Sequence, residues 1–79
     1  MTELDVVELR LSELEALRLC DLEGLDQETA GERMGVSRGT VQRLLKSART
    51  KVVDCLVASR ALHIRQGEED AHMRSHGHG

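Results

Sequence analysis

The segment Gln27-Glu-Thr-Ala-Gly-Glu-Arg-Met-Gly-Val-Ser-Arg-Gly-Thr-Val-Gln-Arg-Leu-Leu45 constrains the fold more than any other part of this chain. Two runs with helical periodicity flank the tripeptide Gly35-Val36-Ser37. Ala30 and Gly31 are small where two helices would cross closely. Gly35 permits the left-handed backbone of a tight turn, Val36 and Val41 are placed to pack beneath that turn, and Leu44 closes the same miniature core. Small, glycine and β-branched requirements are met together, which predicts a helix-turn-helix.

The rest of the chain organises around that unit. Val6, Val7, Leu9 and Leu11 alternate with Glu8, Arg10 and Ser12, predicting a short strand or extended arm with one apolar edge. Ser12 followed three residues later by Glu15 has the spacing of a capping box, so a helix is expected from near Glu13, with Leu14, Leu17, Cys20 and Leu22 as its apolar stripe and Gly24 as its terminator. A short second helix starts at Asp26 or Gln27 and stops at Gly35. Ser37 caps a third, and Val41, Leu44, Leu45, Ala48, Val52, Cys55 and Leu56 recur at three and four residues from about Arg38 to Ala58. Leu62 and Ile64 then share one face of a second short strand, placed to pair with the first within one chain or between two. The expected fold is mainly α: a three-helix helix-turn-helix domain over residues 1–65 with a long third helix and short terminal β-strands. Residues 66–79, rich in Gly, acids and His, are expected to be a disordered tail.

Size limits what this domain can bury. With 79 residues and no Phe, Tyr, Trp or Pro, the core must come from Leu, Val, Ile, Ala and Met. A domain of this length buries only about 60% of its unfolded surface, so a homodimer is expected. The missing aromatics exclude modules that stack unpaired bases on aromatic platforms. The first residues are acidic and no apolar run approaches about 18 residues, so neither a signal peptide nor a membrane span is expected and the protein is placed in the cytoplasm. Cys20 and Cys55 form no C-x-x-C pair and read as two buried, reduced thiols.

The formal charge of −3 conceals a strong polarity. Residues 1–32 hold ten acids and two bases; residues 33–53 hold Arg33, Arg38, Arg43, Lys46, Arg49 and Lys51 and no acid. At about 100° per residue, the face of the third helix opposite its apolar stripe carries Gly39, Arg43, Lys46 and Thr50, with Gln42 on its flank. A helix-turn-helix sets the first turns of this helix against base edges in the major groove. Arg38, Gln42 and Arg43 are therefore candidates for base contacts, because Arg suits guanine and Gln suits adenine in bidentate geometry. Gly39 allows close approach, Lys46 and Arg49 are candidate phosphate contacts, and Ser37 and Thr40 can donate to phosphate at the helix N-terminus. Acids elsewhere orient the domain by repelling DNA from other faces.

Leu14-Glu-Ala-Leu-Arg-Leu-Cys-Asp-Leu-Glu-Gly-Leu25, the helix-turn-helix string, Ala48-Arg49, Lys51-Val52 and Ala61-Leu62 resemble the small prokaryotic family UPF0251 over about residues 6–65. The helix-turn-helix is also similar, more loosely, to region four of bacterial sigma factors. The resemblance implies a DNA-binding, regulatory role without established enzymatic activity; together with the candidate base contacts, the expected function is sequence-specific binding of double-stranded DNA. Members typically carry a basic segment with Pro and Cys ahead of the first strand, and have Ala where this chain has Gly31.

Two other function classes have weaker support. A helix-turn-helix can dock on a protein such as RNA polymerase through an acidic N-terminal helix. His72, His76 and His78 could also ligate a divalent metal, which would make the protein a metal-responsive regulator. His63 has no partner in its strand and reads as structural. Asp21, Glu23, Glu13 and Glu15 read as an acidic exposed face. No nucleophile-and-base set or phosphate loop is present, so neither enzymatic activity nor a cofactor is expected.

Overall fold

The computed structural model describes residues 5–65, in the order β1 (Val6–Arg10), α1 (Leu11–Leu17), a π-helical turn (Arg18–Leu22), α2 (Gln27–Met34), α3 (Arg38–Ala58) and β2 (Ala61–Arg65). The fold is mainly helical, with a long third helix and two short strands, as the sequence predicts. The segment 66–79, including His72, His76 and His78, lies outside the described residues.

Local chemistry sets the boundaries of α2 and α3. The Asp26 carboxylate accepts the Thr29 backbone N–H at 2.7 Å, and the Ser37 hydroxyl accepts that of Thr40 at 3.1 Å, so each helix begins on a side-chain cap. Gly35 ends α2 at φ 75°, in the left-handed region, and the next residue, Val36, donates its N–H to the Gly31 carbonyl at 2.9 Å. At α3's far end Ser59 takes the left-handed conformation, at φ 56°, and turns the chain into β2.

The strands pair in parallel within the one chain, in the register Val6↔Ala61 to Arg10↔Arg65. A parallel pair needs a long crossover, and here the whole helical unit supplies it. Leu9 is buried beneath the sheet opposite Ile64, while Arg60 bonds Asp5 and Arg65 bonds Glu8 at the sheet's two ends. The core cluster is aliphatic: Ala16, Leu19, Ala30, Val41, Leu44 and Leu45, flanked by half-buried Leu17, Cys20, Leu25 and Met34. Both thiols are free; Cys55 is buried, but Cys20 is only half-buried, against the sequence expectation for it. Val36, also expected in the core, is 38% exposed because the turn lifts it to the rim.

The start of α1 departs from the sequence reading. The helix begins at Leu11, directly from the strand, and the acid that reaches back is Glu13, whose Oε1 accepts the Arg10 N–H at 2.8 Å. Ser12 is inside the first turn, and Glu15 instead bonds Arg18. Nor is Glu13 part of an exposed face: it is 1% exposed and receives bonds from the Ser47 hydroxyl and, at 2.8 Å, from the Lys51 ammonium. The reason is tertiary, since α3 brings two donors to a carboxylate that the sequence leaves unpartnered. Burial pushes this carboxyl upward, but the bonds from Lys51, Ser47 and Arg10 outweigh it, and the group lies below the ordinary glutamate value.

A carboxyl with a lowered folded value contributes stability that is complete above its unfolded value and is lost as pH falls through the folded one. Glu13→Gln should therefore destabilise the fold by about 1–3 kcal/mol at neutral pH. The gap from wild type should narrow between about pH 5 and pH 2, as wild-type Glu13 takes up its proton. Urea unfolding followed by far-ultraviolet circular dichroism at a series of pH values measures both; a gap independent of pH would contradict the network.

Candidate nucleic-acid interface

Helices α2 and α3 cross closely enough that side-chain size at the junction matters. A Cβ placed on Gly31 would lie 2.7 Å from the Val36 carbonyl oxygen, so an alanine there requires the turn to move outward. Gly39 is different: its Cβ would meet only the ends of Arg43 and Ser37, at 3.8 and 3.9 Å. Nothing inside the fold calls for glycine at this exposed position. The helical face at Gly39 is simply bare.

All the predicted contact residues except half-buried Thr40 are exposed: Ser37, Arg38, Gly39, Gln42, Arg43, Lys46 and Arg49. The hydroxyls of Ser37 and Thr40 are 3.1 Å apart, and the Arg43 guanidinium donates to the Thr40 hydroxyl at 3.3 Å. This first turn therefore presents a connected set of polar groups at the Ser37-capped helix N-terminus. Arg38, Gln42, Arg43 and Lys46 follow on the outer side of α3, away from the buried stripe of Val41, Leu44, Leu45 and Ala48.

Ion pairing divides the basic residues into two groups. Arg49 is clamped by Asp21, with bonds of 3.0 and 2.7 Å, and Lys51 by Glu13. The bond from Arg49 holds the Asp21 carboxyl below its ordinary value. Arg18 bridges Glu15 and Glu23, Arg60 bridges Asp5 and Asp54, and Arg65 meets Glu8. Among the described residues, only Arg33, Arg38, Arg43 and Lys46 form no ion pair, and all four belong to the helix-turn-helix. Arg33, exposed at the end of α2, was not among the predicted contacts, although it opens the acid-free run.

The π-helical turn explains the Arg49 clamp. An extra residue in the helical ladder re-aims the side chains that follow it. Here it sets Asp21 toward α3 and leaves Leu22 80% exposed. No heptad or capping pattern announces such an insertion.

Among the described residues no group of three or more His, Cys, Asp or Glu could hold a metal ion. His63 is exposed on β2, paired in register with Glu8. Nor is any described helix long and apolar enough to cross a membrane.

A family model described as "Protein of unknown function DUF134" matches residues 1–72. The chain is similar to a UPF0251 protein of Desulforudis audaxviator, 55% identical over 64 residues, which is 81% of this chain and 42% of the relative. It is 50% identical over 70 residues to a UPF0251 protein of Aeromonas salmonicida, covering 89% of this chain and 69% of that one. A third UPF0251 protein, from Thermococcus kodakarensis, is 66% identical over 55 residues, 70% of this chain and 49% of its own. The chain spans about half the length of most of these curated relatives. No solved structure matches it.

The turn that places α3 rests on Gly35. Gly35→Ala should lower stability by about 1 kcal/mol and Gly35→Asn by less, because Asn tolerates the left-handed region better. Urea titration compares them, and an alanine variant as stable as wild type would overturn this account of the turn.

Proposed function

The chain belongs to the UPF0251 family, and from that premise we propose that it is a sequence-specific binder of double-stranded DNA, a cytoplasmic transcriptional regulator that acts as a homodimer. The observation that carries this reading is the distribution of unpaired charge. A fold that neutralises its other described cations internally leaves Arg33, Arg38, Arg43 and Lys46 without acidic partners, on the one motif whose shape suits a major groove. The bare face at Gly39 supports close approach of α3 to base edges, since the fold itself has room for a side chain there.

In this reading Arg38, Gln42 and Arg43 meet base edges, while Lys46 and the Ser37–Thr40 turn meet phosphates. Arg49 reaches a phosphate only by leaving Asp21. The same charge distribution weakens the alternative of docking on RNA polymerase through an acidic helix. Glu13, Glu15, Asp21 and Glu23 are all bonded within the domain and offer a partner little free negative charge.

Affinity for duplex DNA should fall steeply with salt, as phosphate neutralisation requires. Arg43→Ala should cost about 1–3 kcal/mol and relax preference at one position of a site selected from a random pool. Lys46→Ala should weaken all sequences alike and reduce the slope of log affinity against log salt by about one unit. Gel shifts across a salt series measure these quantities, and unchanged binding in both variants would remove α3 as the reader.

A further inference from the structure

Helix α3 changes character halfway along its outer side. Its first half presents the unpaired cations, and its second half presents Val53, Leu56 and Val57, which are 54%, 75% and 79% exposed. Leu22 is 80% exposed. It lines an apolar groove with Leu14, Leu17 and Val52, and Leu56 lies one turn of α3 beyond Val52. Three large apolar side chains of one helix facing water, beside a groove of the same character, form a contiguous patch of the kind that marks an interface.

We propose that this patch is the homodimer contact, and that the C-terminal halves of two α3 helices pack across a twofold axis near Leu56. Two observations favour a second copy over another occupant. The flanking segments of this chain are poor covers: residues 66–79 contain only Ala71 and Met73 as apolar side chains, and residues 1–4 only Met1 and Leu4. The charges bordering the patch are already paired within the chain, Arg18 with Glu15 and Glu23, Asp21 with Arg49, and Asp54 with Arg60. An identical surface therefore meets no like-charge repulsion, whereas a strongly charged partner would find little to complement. An isologous contact on α3 also carries the reader halves with it. From Leu56 to Gln42 is about 20 Å along the helix, so the twofold sets two readers within about 40 Å of each other, close to the 34–36 Å between half-sites one helical turn apart. The half-site spacing rests on the DNA-binding reading; the dimer contact does not.

The test uses the whole 79-residue chain. Sedimentation equilibrium over a concentration series should give twice the 8.8 kDa chain mass. Leu56→Glu and Val57→Glu change exposed helical positions and should leave far-ultraviolet circular dichroism unchanged while weakening self-association by roughly 100-fold or more. Leu56→Ala, which keeps helix propensity and adds no charge, should weaken it by a smaller factor and guards against a folding defect in the Glu variants. On DNA, Leu56→Glu should retain binding to one half-site but lose the gain from an inverted repeat with centres about 10 base pairs apart. A monomeric wild type, or a dimer insensitive to all three substitutions, overturns the contact. A dimer sensitive to them that binds no DNA retains the contact and rejects the DNA reading.

Discussion

The structure is organised around one buried carboxylate. Glu13 sits at the junction of β1 and α1, and its oxygens receive the Arg10 N–H, the Ser47 hydroxyl and the Lys51 ammonium. An uncompensated carboxylate in that position would cost several kcal/mol. The arrangement persists only if α3 presents Ser47 and Lys51, one turn apart, to α1. That requirement fixes the rotation of α3 about its own axis. Once it is fixed, Val41, Leu44, Leu45 and Ala48 face the core, and Arg38, Gln42, Arg43 and Lys46 face outward.

A second consequence concerns charge. Most of the acidic first half of the chain is not a free acidic surface. Asp5, Glu8, Glu13, Glu15, Asp21 and Glu23 pair with Arg60, Arg65, Lys51, Arg18 and Arg49, and Asp26 caps α2, while Glu28 and Glu32 on α2 form no ion pair among the described residues. Exposed pairs of this kind add little stability, typically below about 1 kcal/mol each. Their effect is on the field outside the molecule, because cations without partners remain only on the helix-turn-helix among the described residues. A near-neutral total charge and a locally cationic face are thus compatible.

Size supplies the third constraint. A core without aromatic residues, closed by a two-stranded sheet, covers one stripe of a 21-residue helix as far as Cys55 but leaves Val53, Leu56 and Val57 exposed. These apolar residues lie on the same helix as the exposed cations. Self-association and DNA contact, as proposed, would therefore be coupled through a single rigid element about 32 Å long.

Much of this architecture is legible in local sequence. The Asp26 and Ser37 caps, the left-handed Gly35, the apolar periodicity from Val41 to Cys55 and the apolar faces of both strands all act over a few residues, and the observed elements follow them closely. Of the candidate interface, the outward placing of Gly39, Arg43 and Lys46, with Gln42 on the flank, follows from periodicity alone. What sequence could not show depends on partners far along the chain. Glu13 read as exposed because its donors lie 34 and 38 residues away, and Arg49 read as free because Asp21 is 28 residues away and is aimed by a π-helical turn. The parallel sense of the strands likewise needed the path of the intervening helices. Sequence by itself determined α2, α3 and the turn between them, since caps, glycine and periodicity act locally. Tertiary structure alone decided which charges are neutralised and which remain exposed, because pairing depends on distance in space.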